Sequence, residues 1–176
     1  MTTIMRYCNT LPLPGRLSIL FRLWNSRIMY CHIYLRNGVV YVPTMGKMGE
    51  GFYRGIEPVA VVPAAKTDEL HQALLATIAR GNPGAPILQR SAYPPPVLLK
   101  YARLKSWSAF ERGSVLWSLG EKDRHYEINR YKKHPTGKGL VRDPKQKMTF
   151  QSGSSVDEVI NRMIAILQDA AQRQTK

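Results

Sequence analysis

Two β-prone runs, Ile33-Tyr34-Leu35 and Val39-Val40-Tyr41-Val42, are separated by the dipeptide Asn37-Gly38. A two-residue hairpin whose twist matches its strands needs positive φ at both turn positions. Asn-Gly meets that need more readily than other pairs. Residues 30–43 are therefore read as an antiparallel hairpin, and the rest of the fold must be built onto it.

The chain offers further elements in order. Residues 46–55 carry four glycines and fit neither structural period, so they read as a glycine-rich loop. Val59-Ala60-Val61-Val62, between Pro58 and Pro63, suits a short buried strand. Thr67 precedes Asp68 and Glu69 and heads a helix whose inner face is Leu70, Ala73, Leu74, Thr77 and Ile78. Arg80-Gly81 ends it. Residues 82–96 form a proline-rich loop ending in Pro94-Pro95-Pro96, a stiff extended piece. A short helix follows over residues 97–104.

Residues 107–150 read as an antiparallel meander. Its strands are 115–119, then 125–133, then two short ones at 140–142 and 147–151 around Asp143-Pro144. A turn covers 120–124. Tyr126 and Ile128 share one face and Tyr131 takes the other. Trp107, Phe110 and Trp117 are read as core aromatics. Ser155-x-x-Glu158 is a capping box, and Val156, Val159, Ile160, Met163, Ile164 and Leu167 then recur at helical spacing. The class is α+β: an antiparallel sheet packed against helices, including a long C-terminal helix.

Charge is distributed unevenly. The formal net charge is +14 over 176 residues. Residues 1–28 carry four arginines (Arg6, Arg16, Arg22, Arg27) and no acid. Residues 100–147 carry thirteen basic and five acidic side chains, while residues 148–176 are balanced. The N-terminal stretch is broken by Pro12, Pro14 and Gly15, and its apolar run Leu17–Trp24 is cut by Arg22. A secretory signal is not expected there, since one needs an uninterrupted apolar region and a small-residue cleavage site. Residues 1–28 are read as a poorly structured extension, with Met29 an alternative start, and residues 29–176 as one domain. A Cys8–Cys31 bridge is not expected in a reducing compartment.

No catalytic motif emerges. Residues 46–55 lack the Gly-Lys-Ser/Thr of a phosphate loop and run into a strand where a dinucleotide site would start a helix. His125 and His134 lie nine residues apart beside Lys132 and Lys133 and could in principle act as an acid–base pair. Surface histidines are the simpler reading. No cysteine–histidine spacing fits a metal, so no catalytic residue, metal or cofactor is expected.

The basic stretch 125–147 interleaves Arg130, Lys132, Lys133, Arg142 and Lys145 with Tyr126 and Tyr131. Such a stretch suits an acidic protein partner, a nucleic-acid backbone with bases stacked on the rings, or simply a solvated sheet face.

Val40-Tyr41-Val42-Pro43-Thr44, Glu57-Pro58-Val59, Lys105-Ser106-Trp107-Ser108-Ala109-Phe110-Glu111-Arg112 and Ser155-Val156-Asp157-Glu158-Val159-Ile160-Asn161 together resemble a family of bacterial contact-dependent growth inhibition immunity proteins. The resemblance runs from about Met29 to the end. It implies a cytoplasmic, non-enzymatic protein that binds and neutralises the C-terminal toxin domain of an exported effector. It carries no catalytic or binding residue across. From residue type alone, the candidate partner-binding side chains are Phe52, Tyr53, Arg54, Arg130, Lys132, Lys133, Arg142 and Lys145. The alternative is an RNA- or DNA-binding module using residues 125–147. No membrane association is expected.

Overall fold

The computed structural model describes residues 29–174 apart from 50, 123, 124 and 138. The expectations for residues 1–28, Cys8 among them, fall outside the described residues. One six-stranded sheet forms the centre. Its strands are β1 (Tyr30–Arg36), β2 (Val39–Lys47), β3 (Tyr53–Pro63), β4 (Ser114–Lys122), β5 (His125–Lys133) and β6 (Leu140–Thr149). They lie in the order β3-β2-β1-β4-β5-β6, and every neighbouring pair is antiparallel. Four helices accompany it: α1 (Thr67–Arg80), α2 (Leu98–Ala102), α3 (Trp107–Arg112) and α4 (Val156–Gln174). The α+β class is as expected.

The hairpin forms where the dipeptide places it. Asn37 and Gly38 take φ of 48° and 72°, and Arg36 pairs with Val39. Strand alternation then divides the sheet residues between two faces. Met29, Cys31, Ile33 and Leu35 go to one face, with Val40, Val42, Trp117, Leu119 and Ile128 from its neighbours. Helices α1 and α4 cover this face. Helix α4 buries Val159, Ile160, Met163, Ile164 and Leu167, the stripe its periodicity marked. Its capping box is real on one side: Glu158 N–H donates to Ser155 Oγ at 3.1 Å. His71 of α1 meets Asp157 of α4 at 3.2 Å.

The second face is covered differently. Tyr34, Tyr41, Leu98, Phe110 and Leu116 form a smaller core beneath α2 and α3. The Phe110 ring meets Tyr34 edge-on at 5.5 Å and stacks with Trp107 at 5.2 Å.

Several local expectations need correction. Strands extend into the expected loop: Gly46 and Lys47 belong to β2, and Tyr53, Arg54 and Gly55 to β3. Glycine enrichment hid this, because Gly46 sits in a strand where a side chain would strike Ala85 and Ile56 at under 3 Å. The short strand at Val59 is the end of an eleven-residue β3, interrupted opposite Pro43/Thr44 by a register shift beside the cis Glu57–Pro58 bond. Residues 107–112 are helix α3, not meander, capped by Ser106 Oγ accepting from Ala109 N–H. The expected turn 120–124 is mostly strand, since β4 runs to Lys122. The two short strands around Asp143-Pro144 are one strand, β6, with a shift between Asn129 and Tyr131 on its partner. Thr67 is the first helical residue of α1 and does not cap it; its hydroxyl accepts from Gln168 of α4 instead.

Candidate partner-binding face

Helices α2 and α3 cover only one end of the second face. The other end carries polar rings. In β1 the alternation that buries Cys31 and Ile33 turns Tyr30, His32 and Tyr34 to this side. Ser118 of β4 lies opposite His32. Tyr131 of β5 comes from the next strand over, and Arg142 of β6 lies opposite Tyr131.

These side chains form one connected chain. His32 sits between two phenols, with Nε2 2.7 Å from Tyr30 Oη and Nδ1 3.3 Å from Tyr34 Oη. Tyr30 Oη is 3.1 Å from Tyr131 Oη. Arg142 Nε donates to Tyr131 Oη at 3.4 Å. Tyr53 extends the row, its ring 5.0 Å from that of Tyr30. Beneath them lies Ser118, 1% exposed, whose hydroxyl makes no well-aligned hydrogen bond, although its nearness lowers the pKa of both Tyr30 and Tyr131.

The electrostatics follow from burial beside one cation. Burial, helped by the Arg142 charge, depresses His32 to about 4, so the imidazole is neutral at physiological pH. Burial raises Tyr30 and Tyr34 well above the ordinary phenol value. Tyr131 goes the other way. Burial pushes it up, but its hydrogen bonds with Arg142 and Tyr30, together with the nearby Ser118 hydroxyl, outweigh that and bring it below the ordinary value. The same Tyr131 bond raises Arg142. Arg142 is therefore the charged group of a patch that is otherwise neutral and aromatic.

The candidate residues read from sequence separate in space. Phe52 is 71% exposed at the tip between β2 and β3. Arg54 is pinned beside it, its guanidinium 5.1 Å from the Tyr93 ring and donating to Pro94 O at 2.8 Å. Behind Arg54 a cavity of about 390 Å³ is lined by Tyr34, Tyr53, Tyr93 and Trp107. The row from Tyr53 to Arg142 joins residues 52–54 to Arg142 on this face. Lys133 shares Tyr131's side by alternation and is exposed. Arg130 does not join them. It lies 5.9 Å from the Trp117 ring, bonds Gln146 at 3.0 Å, and with Lys145 lines a separate groove against α4. Lys132 is engaged by Asp143 at 3.2 Å. The stretch 125–147 is thus not one basic face, because strand alternation sends its cations both ways.

The sequence reading missed Tyr30, His32, Tyr34 and Ser118 as members of this patch. The signal was present in Tyr30-x-His32-x-Tyr34, a period-two row of polar rings. The histidine pair does not form: His125 and His134 flank a strand about 25 Å long, and His134 Nδ1 turns to Thr136 Oγ1 at 2.7 Å. Among the described residues no three metal-ligating side chains converge, and no helix is long and apolar enough to cross a membrane.

Solved structures share this architecture. A protein of unknown function from Neisseria meningitidis matches at TM-score 0.56 and 11% identity, over 82% of this chain and 95% of that one. A chain of a CdiA-CT/CdiI toxin and immunity complex from Yersinia pseudotuberculosis matches at TM-score 0.53 and 10% identity, over 84% and 97%. The likeness is one of fold. No protein-family model matches the chain, and no curated protein matches it significantly.

Proposed function

We propose that this chain is a non-enzymatic immunity protein that acts in the cytoplasm by binding the toxin domain of an exported effector and blocking it. The observation that carries the reading is the match of 84% of this chain to 97% of a chain of a toxin and immunity complex. The sequence resemblance drawn from the motifs at residues 40–44, 57–59, 105–112 and 155–161 points the same way and owes nothing to the fold comparison. Residues 29–176 form the working domain.

The surface also suits such a role. Tight protein interfaces concentrate their energy in a few aromatic and arginine anchors. The second face offers Phe52, Tyr53 and Arg54 at one edge and Arg142 at the other, with phenols between. Binding nucleic acid along residues 125–147 is less well supported. A phosphate track needs several cations on one face, whereas Arg130 and Lys145 line the α4 groove and Lys132 is already paired.

The test is co-expression with the protein encoded directly upstream. The expected result is a co-purifying complex and growth of cells that the toxin domain alone would arrest. A toxin that arrests growth equally with and without this chain, and forms no complex with it, overturns the reading.

A further inference from the structure

We propose that the Tyr30, His32, Ser118, Tyr131 and Arg142 cluster is a receptor for a single side-chain carboxylate presented by the partner protein. The identity of the carboxylate's owner rests on the immunity reading above; the chemistry of the receptor does not.

Charge marks the site. Arg142 is exposed and forms no ion pair among the described residues. Glu127, whose ionisation Arg142 favours, is already bonded to Lys147 at 2.7 Å. The guanidinium Nε donates inward to Tyr131, and Tyr30 also lies near enough to favour the charged form. The terminal nitrogens of Arg142 are left to offer the planar fork that matches a carboxylate.

The hydrogen bonds have a direction that leaves one donor over. Tyr131 Oη accepts from Arg142 Nε, so its own proton points either to Tyr30 or outward. If His32 is protonated on Nε2, Tyr34 donates to Nδ1, Nε2–H donates to Tyr30, and Tyr30 donates to Tyr131. Every internal acceptor is then filled, and the Tyr131 proton is free beside the Arg142 fork. An anion at Arg142 selects this tautomer. Below the junction, the buried Ser118 hydroxyl is an unpaired polar group of the kind folded proteins normally satisfy.

Charge also distinguishes a single carboxylate from a polyanionic backbone. The patch holds one cation, and its histidine is held neutral by burial and by Arg142. One monoanion balances it, and the next cation on this face, Lys133, stands outside the cluster, two residues beyond Tyr131 along β5.

The test uses the full-length, isotopically labelled chain, titrated in separate arms with acetate and with dimethyl phosphate. NMR reads the Arg142 Nε–H and the His32 ring nitrogens. Acetate is expected to saturate both signals and drive His32 to the Nε2–H tautomer. Dimethyl phosphate carries the same charge but is a far less basic acceptor for the Tyr131 proton, so it is expected to bind about tenfold more weakly. Read at the His32 ring nitrogens, Arg142→Gln should abolish the response, and Arg142→Lys, which keeps the charge but loses the fork, should weaken it about tenfold. A response no larger than that of the exposed Arg162, or tighter binding of dimethyl phosphate, overturns the proposal. A third arm uses the complex with the upstream-encoded toxin domain, where Arg142→Gln should weaken affinity at least tenfold and unchanged affinity overturns the partner assignment. If no complex forms, the immunity reading fails, and the acetate arm still decides whether the receptor exists.

Discussion

Asn82 holds Tyr30 by both of its backbone polar groups. Tyr30 N–H donates to Asn82 Oδ1 at 2.8 Å, and Asn82 Nδ2 donates to Tyr30 O at 2.7 Å and to Met45 O at 2.9 Å. The reason is a split in the sheet. Strands β1 and β2 pair only from Tyr34/Tyr41 to the hairpin turn. Beyond that point they diverge, and the Asn82 amide fills the gap like an extra ladder rung. It also fixes the backbone that carries the Tyr30 phenol.

Asn82→Ala should therefore destabilise the protein by about 2–3 kcal/mol, because three backbone groups lose their partners while remaining partly buried. A urea midpoint with unchanged slope measures it. Asn82→Asp should recover little, since a carboxylate accepts from Tyr30 N–H but donates to neither carbonyl. A loss below about 0.5 kcal/mol for Asn82→Ala would mean that water fills the gap equally well.

Stability should fall in mild acid because of His32. Its folded pKa is about 4, against an ordinary 6.5. The unfolded chain therefore takes up a proton at higher pH than the folded one. The resulting stability is fully present above about pH 6.5 and is lost as pH falls toward 4. The full shift corresponds to about 3 kcal/mol. His32→Gln keeps hydrogen-bonding capacity without titrating, so the variant should lose about that much less than the wild-type chain between pH 7 and pH 4. Parallel denaturation curves at the two pH values decide it, and equal losses would refute the assignment.

How much of this was readable beforehand depended on the range of the interaction. Asn37-Gly38 and Ser155-x-x-Glu158 act within a few residues: the hairpin formed as read, and Ser155 caps α4 through the Glu158 N–H. Helix α3 was missed although its cap, Ser106, is also local, because Trp107 and Phe110 resemble strand residues and only packing on Tyr34 and Tyr41 gives them a helical site. Strands β3 and β6 were cut short at Pro58 and Pro144, where a register shift lets pairing resume. The patch was the least legible part. Tyr30 and His32 meet Tyr131 and Arg142 only because β1 pairs with β4 across a separation of some eighty residues. Composition gave Arg142 its place among the candidates, but strand parity decided that Arg130 would leave it.

Cys31 should be inert to thiol reagents in the native state. It is 3% exposed, and burial pushes its thiol up to about 12. At pH 8 only about one molecule in ten thousand carries the reactive thiolate, before any steric shielding. In a Cys8→Ser background, labelling with a disulfide reagent should proceed only as fast as the chain opens, and accelerate by several orders of magnitude in denaturant. Prompt labelling under native conditions would show that the β1 core face is open.

The two ends of the second face should contribute more to a partner complex than the surrounding lysines do. Phe52 has most of its surface in water, so covering it gains apolar burial that the free protein lacks. Lys132 already has Asp143, and an exposed pair of that kind is worth at most about 1 kcal/mol. Phe52→Ala and Arg142→Gln should each weaken a toxin complex tenfold or more, while Lys132→Gln and Lys145→Gln should change affinity less than threefold. The lysine variants should instead slow association at low salt, because long-range charge acts on the encounter more than on the docked complex. Association and dissociation rates at two ionic strengths separate the effects. A larger loss for Lys145→Gln than for Arg142→Gln would move the docking surface to the α4 groove, where Lys145 and Arg130 lie.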